Sequence, residues 1–212
     1  RQLPKLKTSA LRGKPRIYGV ALEAIQACQA DLKTEQLKDF ISTYQQSTIL
    51  DIGELWALPV MLRLGVLDYL TRAAGNLLEP QEPAQDLVQP ALPGLETVSD
   101  EAMVALSIQS LRNLETKNWK DFFEQVSIVE QILRQDPSEA YALMDFDSRD
   151  RYRNAVEALA GKIPYSETEV ARESVRMAQQ GGINNPSGAD HYSHVGYYLV
   201  DAGRAQIGRA HV

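Results

Sequence analysis

The sequence predicts an all-α fold of helical hairpins in a bundle, with one proline-rich irregular linker. Apolar residues recur at three- and four-residue spacing through most of the 212 residues, and this is the spacing of one face of a helix. Residues that cap helices stand directly before several of these segments. No segment alternates apolar and polar residues as a half-buried strand does. We therefore expect helices and no sheet.

The first two helices are predicted to form a hairpin. Residues 17–30 carry one apolar stripe at helical spacing. Thr34 precedes a second pattern of this kind, which continues to Tyr44, and threonine in that position favours a helix N-cap.

The third helix has the strongest pattern. Asp51 and Glu54 stand three apart, like the two residues of a capping box, and apolar residues then follow on one face as far as Leu70. Pro59 falls inside this helix, where it removes a backbone hydrogen bond and clashes with the preceding turn at a cost of about 3 kcal/mol. We expect a bend near Leu55.

A linker and two further helices are predicted next. Residues 76–97 contain four prolines and show little periodicity, which is typical of an irregular linker. Ser99 is predicted to cap a helix that continues to Leu114. Asn118 is predicted to cap a single helix that ends before Pro137.

The segment after Pro137 predicts a short turn and then a longer helix. Residues 138–144 favour one helical turn. Asp147 is predicted to cap a helix over residues 152–159, and Gly161 is predicted to end it.

The last predicted helices lie on either side of a loop. Ser166 and Glu169 form a capping box that opens a helix extending to Gln180. Residues 181–188 are rich in glycine and asparagine, as loops are, and residues 192–201 return to a helical pattern that ends before Gly203.

These patterns divide the chain into five parts. They are a basic arm (1–16), an N-terminal helical subdomain with the proline-kinked helix (17–75), the linker (76–97), a C-terminal helical subdomain (98–204) and a tail that we interpret as non-native (205–212).

Composition favours a protein of a reducing compartment. Cys28 is the single cysteine, so no internal disulfide can form. The net charge is −6, although the first sixteen residues hold six basic and no acidic side chains. Such an arm could contact anionic lipid headgroups or a nucleic-acid backbone. We interpret it as solvated, and the acidic remainder argues against a nucleic-acid partner. The most apolar stretch, 55–70, includes Arg63 and Asp68, so we expect no membrane span.

Two polar clusters admit a chemical interpretation beside a structural one. Asp145 and Asp147 match the Asp-x-Asp pair that holds a divalent metal in many glycosyltransferases, but Asp147 also stands where a helix cap is expected. A cluster of alternating charges could clamp a phosphate or a sugar acid, or its members could pair with each other; it consists of Asp145, Arg149, Asp150, Arg151 and Arg153. We favour capping and a structural ion network.

Histidines and aromatic residues raise two further possibilities. His191 and His194 stand three apart, but no residue at ligand spacing completes a metal site. Aromatic faces can stack on sugar rings, although aromatic residues at helical spacing usually belong to the core. The residues concerned are Trp56, Trp119, Phe122, Phe123, Tyr197 and Tyr198. We assign no catalytic, cofactor-binding or metal-binding residue.

Several segments, in order, resemble one bacterial family. They are Leu3-Pro4, 13–18 (Gly-Lys-Pro-Arg-Ile-Tyr), 53–64, 119–153 and 194–204. They are similar to the cytoplasmic region that precedes the glycosyltransferase in the cyclic β-1,2-glucan synthases. The residues in these segments that we interpret as structural are Glu54, Trp56, Pro59, Arg63, Asp145, Arg149, Asp150, Tyr152, His194 and Tyr197.

The resemblance implies a function for the intact enzyme and not for this piece. The family polymerises glucose from UDP-glucose, with a divalent metal, at the bacterial inner membrane. Its nucleotide-sugar carboxylates and its Gln-x-x-Arg-Trp motif come later in the chain. Neither Trp56 nor Trp119 belongs to such a motif, because Leu55 and Asn118 precede them.

We therefore expect a non-catalytic fragment, a helical scaffold at the cytoplasmic face. Its implied partners are the downstream transferase and membrane domains and the nascent β-1,2-glucan. Two alternatives remain open. A helical adaptor would bind another protein through the kinked helix and would expose Leu55, Trp56 and Leu62. A carbohydrate-binding module would bind β-1,2-glucan oligosaccharides.

Overall fold

The computed structural model describes residues 3–7, 11–78, 98–184 and 190–207. Within these ranges it contains ten α-helices, two short 3₁₀-helices and no β-strand, which confirms the all-α prediction. The only sheet-like pairing among the described residues is an isolated antiparallel bridge between Lys5 and Pro15.

The helices follow one another along the chain. Their bounds are α1 Arg16–Ala27, α2 Thr34–Tyr44, α3 Ile52–Leu78, α4 Asp100–Thr116, α5 Trp119–Val126, α6 Ile128–Leu133, α7 Ala140–Leu143, α8 Phe146–Ala160, α9 Glu167–Asn184 and α10 Val195–Val200. The 3₁₀-helices are Asp190–Ser193 and Ala202–Gln206.

The chain forms two compact units, one ending at Val126 and the other beginning at Ser127. In the N-terminal unit α3 packs against α1 and α4, and α2 packs against α5. Gly65 lies where α3 approaches α1 closely, because a Cβ atom there would lie 2.6 Å from Cδ1 of Ile25. The core includes Ile17, Ile25, Leu37, Leu58, Leu62 and Leu114.

The C-terminal unit is arranged around α9, which packs against α6, α8 and α10. Its most deeply buried apolar side chains include Leu133, Tyr141, Val156, Val170 and Leu199. Among them lies a fully buried arginine, Arg153, whose charge must be compensated inside the unit.

This division differs from the subdomains outlined from the sequence. Helices α4 and α5 belong to the N-terminal unit, in which α4 packs on α3 and α5 packs on α2. Residues 79–97 of the proposed linker, parts of the basic arm (1–2 and 8–10) and most of the tail (208–212) lie outside the described residues.

Several predicted caps are confirmed. The Ser99 side chain accepts a hydrogen bond from the backbone of Ala102 at the start of α4. The backbone N–H of Asp51 donates to Glu54 over 3.0 Å at the start of α3. Ser166 and Glu169 form the reciprocal bonds of a capping box at α9.

The N-caps of α2 and α8 were predicted wrongly, because each lies one or two residues before the predicted position. Thr34 is the first residue of α2, and Lys33 takes the N-cap position without a side-chain bond. Asp145, not Asp147, caps α8, because its carboxylate accepts the N–H of Ser148 over 2.7 Å.

The single helix predicted after Asn118 is broken in two. Ser127 adopts an extended conformation, and its hydroxyl accepts the N–H of Glu130 to start α6. Asn118 does cap the first piece, because its side-chain oxygen accepts the N–H groups of Lys120 and Asp121.

Other helix ends also differ from the prediction. Helix α1 ends at Ala27, because Gln29 and Ala30 take positive φ angles of 50° and 58°. Helices α3 and α9 continue past the predicted ends to Leu78 and Asn184. Of the helix predicted over 192–201, only α10 is an α-helix, and the two 3₁₀-helices lie on either side of it. Gly203 lies inside the second 3₁₀-helix and does not end α10. The bend near Leu55 stays a prediction.

In the part of the chain that the structure describes, no helix combines the length and the apolar character that crossing a bilayer requires.

Candidate functional site

A buried carboxylate organises the C-terminal unit. Glu130 of α6 is fully buried. Its Oε2 lies 2.7 Å from Nη1 of Arg153 and accepts the hydroxyl of Tyr141 over 2.6 Å. Its Oε1 lies 2.8 Å from Nε of Arg134 and 3.5 Å from Nε of Arg149. One glutamate therefore ties together residues of α6, α7 and α8.

The arginines around Glu130 make further bonds that fix their planes. Arg153 pairs with Asp150 over 3.2 Å and lies over the ring of Phe146, 4.6 Å from its centroid. Arg149 donates to the carbonyl of Met144 over 2.6 Å. Burial by itself would lower the pKa of Arg153, but its hydrogen bond to Glu130 and the neighbouring charges raise it overall. The guanidinium groups are committed to protein partners.

A second polar group joins α10 to the loop after α6. Nδ1 of His194 lies 2.7 Å from Oδ2 of Asp136, and Nε2 of His194 lies 3.2 Å from the hydroxyl of Tyr152. Asp136 also accepts the N–H groups of Val195 and Tyr141 over 3.0 and 3.1 Å. We call Asp136, His194 and Tyr152 the histidine relay.

The histidine relay has the order of groups found where a base activates a hydroxyl. Its electrostatics disfavour that role, because burial and the charge of Asp136 raise the pKa of Tyr152. Space beside the relay is small on the side of α10, because a Cβ atom at Gly196 would lie 2.6 Å from Nε2 of His194 and from the Tyr152 hydroxyl. The relay therefore acts as a structural clasp.

The residues considered for metal binding contact other protein groups. Both carboxylate oxygens of Asp145 interact with Ser148 at the start of α8, and these bonds lower the pKa of Asp145. The ring of His191 packs at a tilt against Tyr192 and Tyr197, with ring centroids 4.1 and 5.2 Å away. Within the described ranges no three His, Cys, Asp or Glu side chains are grouped as metal ligands. Among the described residues, Asp145, His191 and His194 therefore do not fit a divalent-metal site.

Several residues that carry the resemblance in the N-terminal unit lie on helix α3 and bond to its neighbours. Glu54 is fully buried and pairs with Arg16, whose Nε lies 2.9 Å from Oε1. This bond raises the pKa of Arg16. Pro59 is buried inside α3, and Nη2 of Arg63 donates to the carbonyl of Leu114 over 3.3 Å.

The two tryptophans differ in surroundings. Trp56 stacks almost parallel on Phe123, with centroids 4.6 Å apart, and is 36% exposed. Trp119 meets Phe122 edge-on and donates its Nε1–H to the carbonyl of Leu114 over 3.0 Å. In the C-terminal unit, Tyr197 makes similar edge contacts with its tyrosine neighbours.

A polar cleft of about 740 Å³ opens on the N-terminal unit. The loop between α1 and α2 forms one wall, the end of α4 a second, and the start of α5 a third. Amide, hydroxyl and charged side chains line most of it, and Leu32 and Phe122 are its apolar members.

Sequence reasoning missed the two carboxylates at the centre of these arrangements. Glu130 interrupts an apolar run three residues after Ser127, which is the spacing of a capping box and a usable signal. Asp136 precedes a proline, and nothing in the local sequence indicates that His194 lies beside it.

The chain is similar to a known glucan synthase. It is 26% identical to the cyclic beta-(1,2)-glucan synthase NdvB of Rhizobium meliloti (strain 1021) over 246 residues. The alignment covers 85% of this chain and 9% of that protein, so the chain spans less than a tenth of the relative's length. No family model matches the chain. The likeness indicates a distant relationship to that synthase.

Proposed function

We propose that this chain is a helical, non-catalytic region of a glycosyltransferase that makes β-glucan, and that it braces the transferase part of the same polypeptide. The observation that carries the proposal is the similarity to the glucan synthase across 85% of the chain. In the intact enzyme, UDP-glucose and a divalent metal would be bound by residues outside this chain, at the cytoplasmic face of the inner membrane.

The non-catalytic part of the proposal is supported by how the chain uses its polar groups. Catalytic carboxylates and histidines need access to a substrate. Glu130 is sealed among arginines, Asp136 holds His194, and Asp145 caps a helix. Each of these groups stabilises a helix or the packing between helices.

The bracing role is supported by an apolar stripe on α3. Trp56, Val60, Leu64 and Leu67 are 36%, 52%, 46% and 44% exposed, and their spacing puts them on one side of the helix. We call these four residues the α3 stripe. An exposed run of large apolar side chains usually contacts another apolar surface in the functional assembly.

The adaptor hypothesis loses part of its basis. Leu55 and Leu62, two of the three side chains it needed at the surface, are only 5% and 0% exposed. The α3 stripe could still bind a separate protein. The bracing role and the adaptor hypothesis therefore differ in whether the surface that covers the stripe belongs to the same polypeptide.

A deletion experiment tests the proposed function. Membranes with the full-length polypeptide that carries this chain would be supplied with radiolabelled UDP-glucose, and label in β-1,2-glucan would be measured. Removing this region should abolish synthesis, and supplying the region as a separate chain should restore part of it. The purified chain alone should release no glucose from UDP-glucose. Undiminished synthesis after the deletion would contradict the proposal.

A further inference from the structure

We infer that the polar cleft of the N-terminal unit is a binding site for a neutral oligosaccharide, of the β-linked glucan class. This inference rests on the proposed function for its choice of sugar, and on the structure of the cleft for the site itself. Its volume of about 740 Å³ lies inside the range of about 300–1,000 Å³ that is usual for ligand pockets.

The cleft is built on a rigid frame. Ser110 is fully buried in α4; its hydroxyl donates to the carbonyl of Ala30 and accepts the N–H of Leu32 over 3.2 Å. The loop it holds includes Gln29 and Ala30 at positive φ, a conformation that non-glycine residues adopt at an energetic cost. The α1–α2 loop is thus fixed against α4.

A second contact closes the frame at the other side. Lys117 donates to the hydroxyl of Thr34 over 2.7 Å. Its ammonium lies 5.8 Å from the ring centroids of both Trp119 and Phe122. Burial lowers the pKa of Lys117, as expected for an ammonium that has lost part of its hydration.

The lining suits the hydroxyl groups of a sugar. Gln109, Asn113 and Gln125 bring three amide side chains to the cleft, and a fourth amide, that of Asn118, lines the cleft while it caps α5 and donates to Asp121. An amide presents both donors and acceptors. In the bond between two of these side chains, Gln109 donates an N–H to the side-chain oxygen of Asn113 over 3.0 Å. A hydroxyl group is also both donor and acceptor, so amides can bond it in either direction.

The charges of the cleft favour a neutral ligand. Asp31 and Asp121 line it together with Lys33 and Lys117, so carboxylates and ammonium groups balance. Asp31 and Lys33 pair with each other over 2.6 Å. A diphosphate or another anion would meet as many like charges as opposite ones and would gain little net attraction.

An NMR titration of the 212-residue chain tests the inference. β-1,2-linked glucose oligomers would be added to ¹⁵N-labelled protein, with α-1,4-linked oligomers and UDP-glucose added in separate series. The backbone amide signals of Asn113, Asn118 and Thr34, and the side-chain amide signals of the two asparagines, should shift with the β-1,2-linked oligomers. They should respond at least tenfold more weakly to the other two ligands.

Matched variants test whether the oligomers bind in the cleft. Replacing both Gln109→Ala and Asn113→Ala should weaken binding by about tenfold, because two hydrogen-bonding side chains are lost. Gln36→Ala, an exposed amide of α2 that does not line the cleft, should leave the affinity unchanged. Unchanged spectra of the core residues would show that the double variant is folded.

Three results would overturn the inference. They are no shifts with β-1,2-linked oligomers, shifts confined to residues away from the cleft, and equal affinity in the folded double variant. The deletion experiment on glucan synthesis uses no cleft ligand, so loss of synthesis there together with failure here would refute the oligosaccharide site and leave the proposed function standing.

Discussion

Glu130 and Arg153 are both fully buried, and their charged groups lie 2.7 Å apart although the residues are 23 positions apart in the chain. A buried pair of this kind costs much of its attraction in lost hydration. It is tolerated here because Tyr141, Arg134 and Asp150 complete the hydrogen bonds around it. The pair fixes α8 against α6.

Removing one member of this pair should destabilise the C-terminal unit strongly. Arg153→Leu leaves Glu130 buried without its principal partner, and we expect a loss of about 3–5 kcal/mol in the free energy of unfolding. Urea unfolding followed by circular dichroism measures the loss, and hydrogen exchange of the α8 amides locates it.

Arg151→Leu is the matched control, because Arg151 is an exposed arginine of the same helix. It should change the free energy of unfolding by less than about 0.5 kcal/mol. Equal effects of the two variants would contradict the buried-pair account.

Two buried serines of α4 should respond oppositely to the same change. Ser110 bonds the α1–α2 loop, so Ser110→Ala should cost about 1–3 kcal/mol of stability. The hydroxyl of Ser107 is equally buried and has no hydrogen-bond partner within the described ranges, so Ser107→Ala should raise stability by about 1 kcal/mol. Thermal unfolding of both variants checks the sign, and a destabilised Ser107→Ala would refute the assignment.

Acid should weaken the C-terminal unit through Asp136. Burial raises the pKa of Asp136, but hydrogen bonds from His194, Ser138 and two backbone groups lower it by a larger amount. The pKa of Asp136 in the folded state therefore lies below the ordinary value. The stabilisation is therefore complete above about pH 4 and is lost as the pH falls through the lower folded pKa.

Unfolding free energies measured between pH 2 and pH 7 test this direction. In Asp136→Asn the free energy should be lower at pH 7 and should fall less steeply in acid. Asp39→Asn, which removes an exposed carboxylate of α2, should keep the wild-type slope. An unaltered slope in Asp136→Asn would show that another group carries the acid dependence.

The sequence predicts local features of this fold well. The stripes of α2 and α4 and the caps at Ser99 and Ser166 depend on residues within one or two turns, so periodicity and spacing reveal them. The break at Ser127 was missed because its apolar residues keep helical spacing on both sides of it.

The polar centres could not be predicted in the same way. Asp136 and His194 are 58 positions apart, and only the packing of α10 brings them together. The cleft likewise combines residues about 80 positions apart, as the bond between Lys117 and Thr34 shows. Such pairs depend on tertiary packing that periodicity does not encode.

The bracing role is tested most directly by glucan synthesis in a variant of the α3 stripe. Val60→Lys combined with Leu64→Lys, made in the full-length polypeptide, should abolish the transfer of labelled glucose from UDP-glucose into β-1,2-glucan. Stability should change little, because both side chains are about half exposed. Leu143→Lys, at an apolar residue that is 87% exposed and lies outside the stripe, should preserve synthesis. Wild-type synthesis by the stripe variant would contradict the account.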